Sequence, residues 1–196
     1  MIKKILFFGF LFCLSSISLS AQDRFFSKTG TIVFDAGGSE SITAENNKVV
    51  VMYDSKTSNI EFSVLIKGFK FEKALMEEHF NDNYMDSSKF PKANFKGTVS
   101  GKVDTSKDGA YPVTVSGKLT IKGVTKDVTT KGTINVKGPS ADANADFKIS
   151  LEDYGISIPA AVGDKVSNEA KISVKAKMMR MMAPTKAAES SSGGKN

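Results

Sequence analysis

Cysteine, histidine and tryptophan are nearly missing: the 196 residues hold one Cys, one His and no Trp, with five Pro. A single Cys forms no intrachain disulfide, so the core alone has to hold the fold. A single His, His79, rules out His-x-x-x-His zinc pairs, and paired-Cys metal spacings are missing too. Glu77, Glu78 and Asp82 stand near His79 and could orient its ring, but no Gly-x-Ser-x-Gly elbow supplies a nucleophile. Gly37-Gly38 and Gly101 fall in turns with no helix start behind them, which excludes a phosphate-cradling loop. Lys and Arg outnumber Asp and Glu by 27 to 21, yet the lysines are scattered as on solvated strand exteriors. That is no nucleic-acid footprint. The expectation is a protein without catalytic residues, bound metal, cofactor or nucleic-acid partner.

One long apolar run is present, at the N-terminus. Lys3 and Lys4 precede an almost wholly apolar Ile5–Leu19, and Leu19-Ser20-Ala21-Gln22 offers a small-residue cleavage site. This order is that of a secretory signal peptide over residues 1–21. The run falls short of the roughly 20 residues that span a bilayer, and no other segment approaches it, so no transmembrane segment is expected in the mature chain. Cys13 lies inside the apolar run, away from the cleavage point, which argues against a lipid anchor. Cleavage after Ala21 removes that Cys, takes the formal charge from +6 to +4 and exports the chain to the periplasm or beyond. What remains fits one domain, residues 22–182, followed by a polar tail, residues 183–196, with nothing to bury.

Most of the mature chain reads with period two, the mark of half-buried strands. Ile60, Phe62, Val64 and Ile66 alternate with Glu61, Ser63, Leu65 and Lys67, and Val113, Val115, Gly117, Leu119 and Ile121 with Thr114, Ser116, Lys118, Thr120 and Lys122. Val128 to Val136, Phe147 to Leu151 and Ala170 to Ala176 repeat the pattern. Thr31–Asp35, Lys48–Asp54 and Ala93–Asp104 bring the number to about eight strands, separated by Gly, Pro, Asn and Asp turns. Gly123-Val124-Thr125 joins two of them as a hairpin. A sheet of this length exposes two edges unless it closes, so the expected fold class is all-β, an antiparallel eight-stranded barrel. Glu72–Phe80 has helical spacing and is expected to be a short helix over one end, followed by a loop over Asn81–Asp86. Met178-Met179-Arg180-Met181-Met182 is either a soft-ligand cluster for monovalent copper or the fraying end of the last strand; the second reading is the simpler.

Certain blocks resemble the YceI-like family. They are His79-Phe80 through Lys89-Phe90-Pro91 to Phe95-Lys96-Gly97, the hairpin Gly117-Lys118-Leu119-Thr120-Ile121-Lys122-Gly123-Val124-Thr125-Lys126-Asp127-Val128, and the closing segments Phe147 to Ile158 and Asp164 to Ile172. Together they cover roughly residues 59–177, with Lys122 where many members carry His. The resemblance implies an extended lipocalin-like barrel with a helix at one end, exported, in some members holding a long polyisoprenoid or related amphiphile.

The expected function is therefore non-enzymatic: sequestering or carrying an isoprenoid-like, long-chain amphiphilic lipid in the barrel. The candidate ligand-binding residues are Ile60, Phe62, Val64, Ile66, Val115, Leu119, Ile134, Phe147, Leu151, Ile172 and Val174 inside, with Phe69, Phe71 and Leu75 gating the mouth. Gly117, Gly132, Ala170 and Ala176 are expected to leave room for the ligand. The alternative is a filled barrel acting as an interaction or stress-response module through loop Asn81–Ser88. A third, enzymatic reading rests on His79 alone.

Overall fold

The computed structural model describes residues 24–181. The expected signal peptide with Cys13, Met182 and the expected tail 183–196 lie outside the described residues. The described residues form nine strands: β1 (Arg24–Gly37), β2 (Thr43–Asp54), β3 (Asn59–Leu65), β4 (Lys70–Phe71), β5 (Lys92–Ser100), β6 (Gly109–Ile121), β7 (Val124–Lys137), β8 (Ser140–Ser150) and β9 (Val166–Arg180). Eight of them pair antiparallel, each with the next, and β9 returns to β1, so the sheet closes into a barrel. The two-residue β4 adds to β2 beyond the ring.

Closure turns every apolar face inward. The alternation read from β3, β6, β7, β8 and β9 is the observed one: Ile60, Val64, Val113, Ile134, Ile149 and Ala170 are all buried. Lysines and acids face out and pair across strands, as Lys118 with Asp127 at 3.0 Å and Lys148 with Glu169 at 2.6 Å. Exposed pairs of this kind contribute well under about 1 kcal/mol each. The β6–β7 turn is centred on Lys122-Gly123, one residue earlier than expected, with φ of 48° and 80°. Two successive positive-φ residues make the tight turn whose twist matches that of the strands.

Three strand limits differ from the sequence reading. β1 begins at Arg24 instead of Thr31, β2 at Thr43 instead of Lys48, and β5 ends at Ser100 instead of Asp104. The first two were hidden by bulges. The β1–β2 register slips between Ser27 and Gly30 and again between Gly30 and Ile32, and each slip interrupts the period-two pattern. Asn46 sits at the second slip, fully buried. Its side-chain nitrogen donates to Leu65 O at 2.9 Å, and its oxygen accepts the Lys48 N–H at 3.0 Å. A buried amide thus satisfies the bulge and ties β2 to the turn after β3.

The helix is also shorter than Glu72–Phe80. α1 spans Ala74–His79, and a wider turn, Phe80–Tyr84, takes over where a loop was expected. Asn81 Nδ2 donates to Glu77 O at 2.8 Å, and Met85 N–H reaches Phe80 O at 2.9 Å. These bonds use the carbonyls that an abrupt helix end would leave bare.

One wall of the barrel is incomplete. The β7–β8 ladder runs from Lys137–Ser140 to Gly132–Ala145 and stops there, although both strands continue. Thr130 Oγ1 donates to Asp146 O at 3.1 Å just beyond the last pair. The chain after β8 folds back against both strands, burying Leu151, Tyr154 and Ile156.

Asn46→Ala should cost about 2 kcal/mol, because truncation leaves a carbonyl and an amide unpaired in the interior. For a domain of this size that is a fall of roughly 4 to 8 °C in Tm. Thermal unfolding followed by circular dichroism checks it, and an unchanged midpoint would contradict the role given to Asn46.

Candidate ligand cavity

The two ends of the barrel are built differently. At the end where β1 starts and β9 finishes, Phe25 stacks on Tyr53 with ring centroids 6.1 Å apart, and Met178 is fully buried. The Arg180 guanidinium lies 4.6 Å over the Phe25 ring and donates to Thr105 O at 2.5 Å. Burial raises the Tyr53 pKa, and the neighbouring Asp54 charge adds to it. Phe25, Tyr53, Val136, Ala141 and Met178 are buried yet stand outside the cavity wall, so they form its floor.

Above that floor lies an apolar cavity of about 540 Å³, within the range of small-molecule sites. β3 contributes Ile60, Phe62 and Val64 to its wall, and the turn after it Ile66 and Phe69. β4 adds Phe71 and α1 adds Leu75. β6 supplies Val115 and Leu119, β7 Ile134, and β8 Phe147 with Leu151 just beyond it. β9 supplies Ile172 and Val174. The fold thus brings all the candidate residues around one space. Leu75 is 61% exposed, so it stands on the lip and is not packed inside.

Other wall residues were missed. Ile32 and Phe34 of β1 and Phe95 and Val99 of β5 face the cavity, as do Ile156 and Ile158 behind the gap in the β7–β8 ladder. The alternation of Ile32, Phe34 and Ala36 was a usable signal; the return of the chain after β8 left none.

The small residues do not serve as expected. Gly117, Gly132, Ala170 and Ala176 are absent from the cavity wall. A Cβ on Gly117 or Gly97 would come within 2.8 Å of the Phe95 ring, so the space these glycines leave is occupied by that ring. Gly132 instead lets β7 approach β8, where a Cβ would meet Asn144 O at 2.7 Å.

The roof is a cluster of rings around Phe80. Phe71, Phe69 and Phe34 surround it with centroids at 5.0, 5.6 and 5.9 Å. Around the roof the lining turns polar: Glu40, Lys73, His79 and Lys165 are exposed lip residues. Glu40 Oε1 and Lys165 Nζ are 2.8 Å apart. The hydrogen bond and charge of Lys165, and then the charge of Lys73, hold the Glu40 carboxyl below its usual range.

His79 makes no side-chain hydrogen bond or ion pair among the described residues. The described residues also contain no group of three or more His, Cys, Asp or Glu that could hold a metal ion. The described methionines at and just beyond the end of β9 do not converge: Met178 is buried in the floor, whereas Met179 and Met181 are exposed.

An eight-stranded antiparallel barrel, closed at one end and hollow at the other, defines the lipocalin-like class of barrels. The YceI-like domain profile matches residues 15–178, and the chain belongs to that family. The match includes β1 and β2, ahead of the blocks that carry the sequence resemblance. A UPF0312 protein of Pseudomonas putida (strain W619) is 35% identical over 85 residues, 40% of this chain and 42% of that protein. One of Pseudomonas fluorescens (strain SBW25) is 32% identical over 111 residues, 53% of this chain and 55% of that protein. The chain thus spans about half the length of the curated relatives it matches. A polyisoprenoid binding domain from Saccharophagus degradans, implicated in plant cell wall breakdown, superposes with a TM-score of 0.69 at 10% identity, covering 82% of this chain and 99% of that one. BcnA of Burkholderia cenocepacia gives 0.63 at 15% identity over 76% and 95%. At such identities the likeness is one of fold.

Phe80→Ala removes the centre of the roof and should cost about 3 to 5 kcal/mol. Urea unfolding measures the loss, and hydrogen exchange should show faster amides across 66–91. An unaltered midpoint with unaltered exchange would contradict the roof assignment.

Proposed function

We propose that the protein is an exported, non-enzymatic carrier that holds a polyisoprenoid or similar long-chain amphiphilic lipid inside its barrel. The observation that carries this reading is the apolar cavity of about 540 Å³, walled by aliphatic and aromatic side chains and edged by charged ones. Burial of apolar chain supplies the affinity, at about 0.8 kcal/mol per methylene. The wall offers no acid–base pair, and carriage needs none. The polyisoprenoid-binding description of the Saccharophagus degradans neighbour supports the same class of ligand. The basic, then apolar, then small-residue order of the first 21 residues supports export to the periplasm or the medium.

The filled-barrel alternative loses its premise, since the interior is hollow. Of its loop, Asn81–Ser88, Met85 and Ser87 are buried, which leaves Asp82, Asn83 and Ser88 as the exposed part.

Native mass spectrometry of the protein recovered from the osmotic-shock fraction of an expressing cell tests both halves. The expected result is a chain beginning at Gln22 that carries a noncovalent adduct released by organic solvent. A full-length chain retained in the cell would contradict export, and a protein that repeatedly emerges ligand-free would contradict carriage.

A further inference from the structure

We infer that the ligand is a single-chain amphiphile with an anionic headgroup, a carboxylate or a phosphate, seated on Lys73 and Lys165 at the lip. This rests on the carrier reading and adds to it the chemistry and length of the ligand.

The headgroup follows from the distribution of charge. Below the lip the wall carries no charged side chain, only the uncharged Asn94, Thr130 and Asn144 among apolar residues, so an ionised end of an amphiphile has to sit at the lip, where burial does not strip its hydration. The charged groups lining the lip are Glu40, Lys73 and Lys165, beside His79. Of these, the two lysines face one carboxylate. Glu40 is committed to Lys165 at 2.8 Å. Lys73 makes no ion pair among the described residues, yet stands close enough to Glu40 for its charge to be felt. Of the other acids nearby, Glu77 is held by Lys70 at 2.6 Å, and Glu72, Glu78 and Asp164 do not line the cavity. An arriving carboxylate or phosphate therefore meets one uncommitted ammonium and a second shared with Glu40. A neutral head can accept a hydrogen bond from either ammonium, but only an anion adds the attraction between opposite charges. The lip is also firmly placed: Gly38 N–H donates to Lys165 O at 2.8 Å and Ser39 N–H to Asp164 O at 2.9 Å, knitting the β1–β2 turn to the segment before β9.

The chain length follows from the floor. A volume of about 540 Å³ holds roughly 18 water-sized groups at about 30 Å³ each, and a methylene is close to water in size. Phe25, Tyr53 and Met178 are fully or almost fully buried below, so the chain has no continuation through the bottom. Chains of roughly 16 to 20 carbons fill the space, and longer ones have to leave carbons outside.

Displacement of the neutral probe N-phenyl-1-naphthylamine measures both features, and the protein's lack of Trp keeps the background low. Hexadecanoate and hexadecyl phosphate should each displace it about tenfold more tightly than hexadecanol. Comparison of the first two distinguishes carboxylate from phosphate. In the double variant Lys73→Met, Lys165→Met that preference should fall to about twofold or less. Glu40→Gln should strengthen both anions, the opposite of what loss of a merely structural ion pair would produce. Extension of the acid from about 18 to 24 carbons should bring no further gain. Equal affinity for anion and alcohol in the wild type, or a preference that survives the double variant, would overturn the headgroup assignment. Affinity that keeps rising with length would overturn the floor. Failure of every amphiphile to displace the probe would instead overturn the carrier reading itself.

Discussion

The ladder between β1 and β9 joins the first strand to the last, and the rest of the architecture depends on it. Without it the chain is a long curved meander with two open edges and an apolar face half in water. With it, each strand's alternation acquires an inside and an outside, and the apolar inner face is removed from solvent at about 25 cal/mol per Å². Phe25 pairs with Arg180 in that ladder, and the guanidinium lies over the same ring, so the seam and the floor share residues. Pairing of such distant segments also makes slow folding the expectation.

Closure fixes the radius, and eight strands leave an interior that side chains can just fill or that can hold one small ligand. This protein does one at each end. Where β1 starts and β9 finishes, Phe25 and Tyr53 stack and Met178 is buried in the same floor. Toward α1, the space is spanned from above by Phe80 and its ring partners, and the middle stays open. Charged side chains are confined to the lip, and Asn94, Thr130 and Asn144 are the uncharged polar members of the strand walls. The gap in the β7–β8 ladder is closed by the returning chain, with Tyr154 and Ile156 buried against it. An apolar compartment with a charged edge is the physical content of the carrier reading.

Much of this was legible in the sequence because period two is a local signal. Ile60, Phe62 and Val64 declare their face through their immediate neighbours, and so do Val115, Leu119, Ile172 and Val174. What stayed hidden is non-local. Asn46 reads as a turn residue until the β1–β2 slips show that it bridges a bulge and Leu65. Gly117 reads as empty space until the Phe95 ring is seen across it. Glu40 and Lys165 lie in different turns, and only the closed barrel brings them within 2.8 Å. Phe80 was placed at the end of a helix, but its part as the centre of a four-ring roof depends on Phe34, which arrives from β1.

The central claim, that the cavity above Phe25 and Tyr53 is a ligand site entered from the α1 end, is tested most directly by crystallography with hexadecanoate brominated on its terminal carbon. Anomalous scattering locates that atom without assumptions about the rest of the chain. The account predicts a single bromine peak deep in the barrel, among Val99, Val113, Ile134 and Ala143, with the carboxylate at the lip. Bromine found only on the outer surface, around an interior closed by the protein's own side chains, would contradict it.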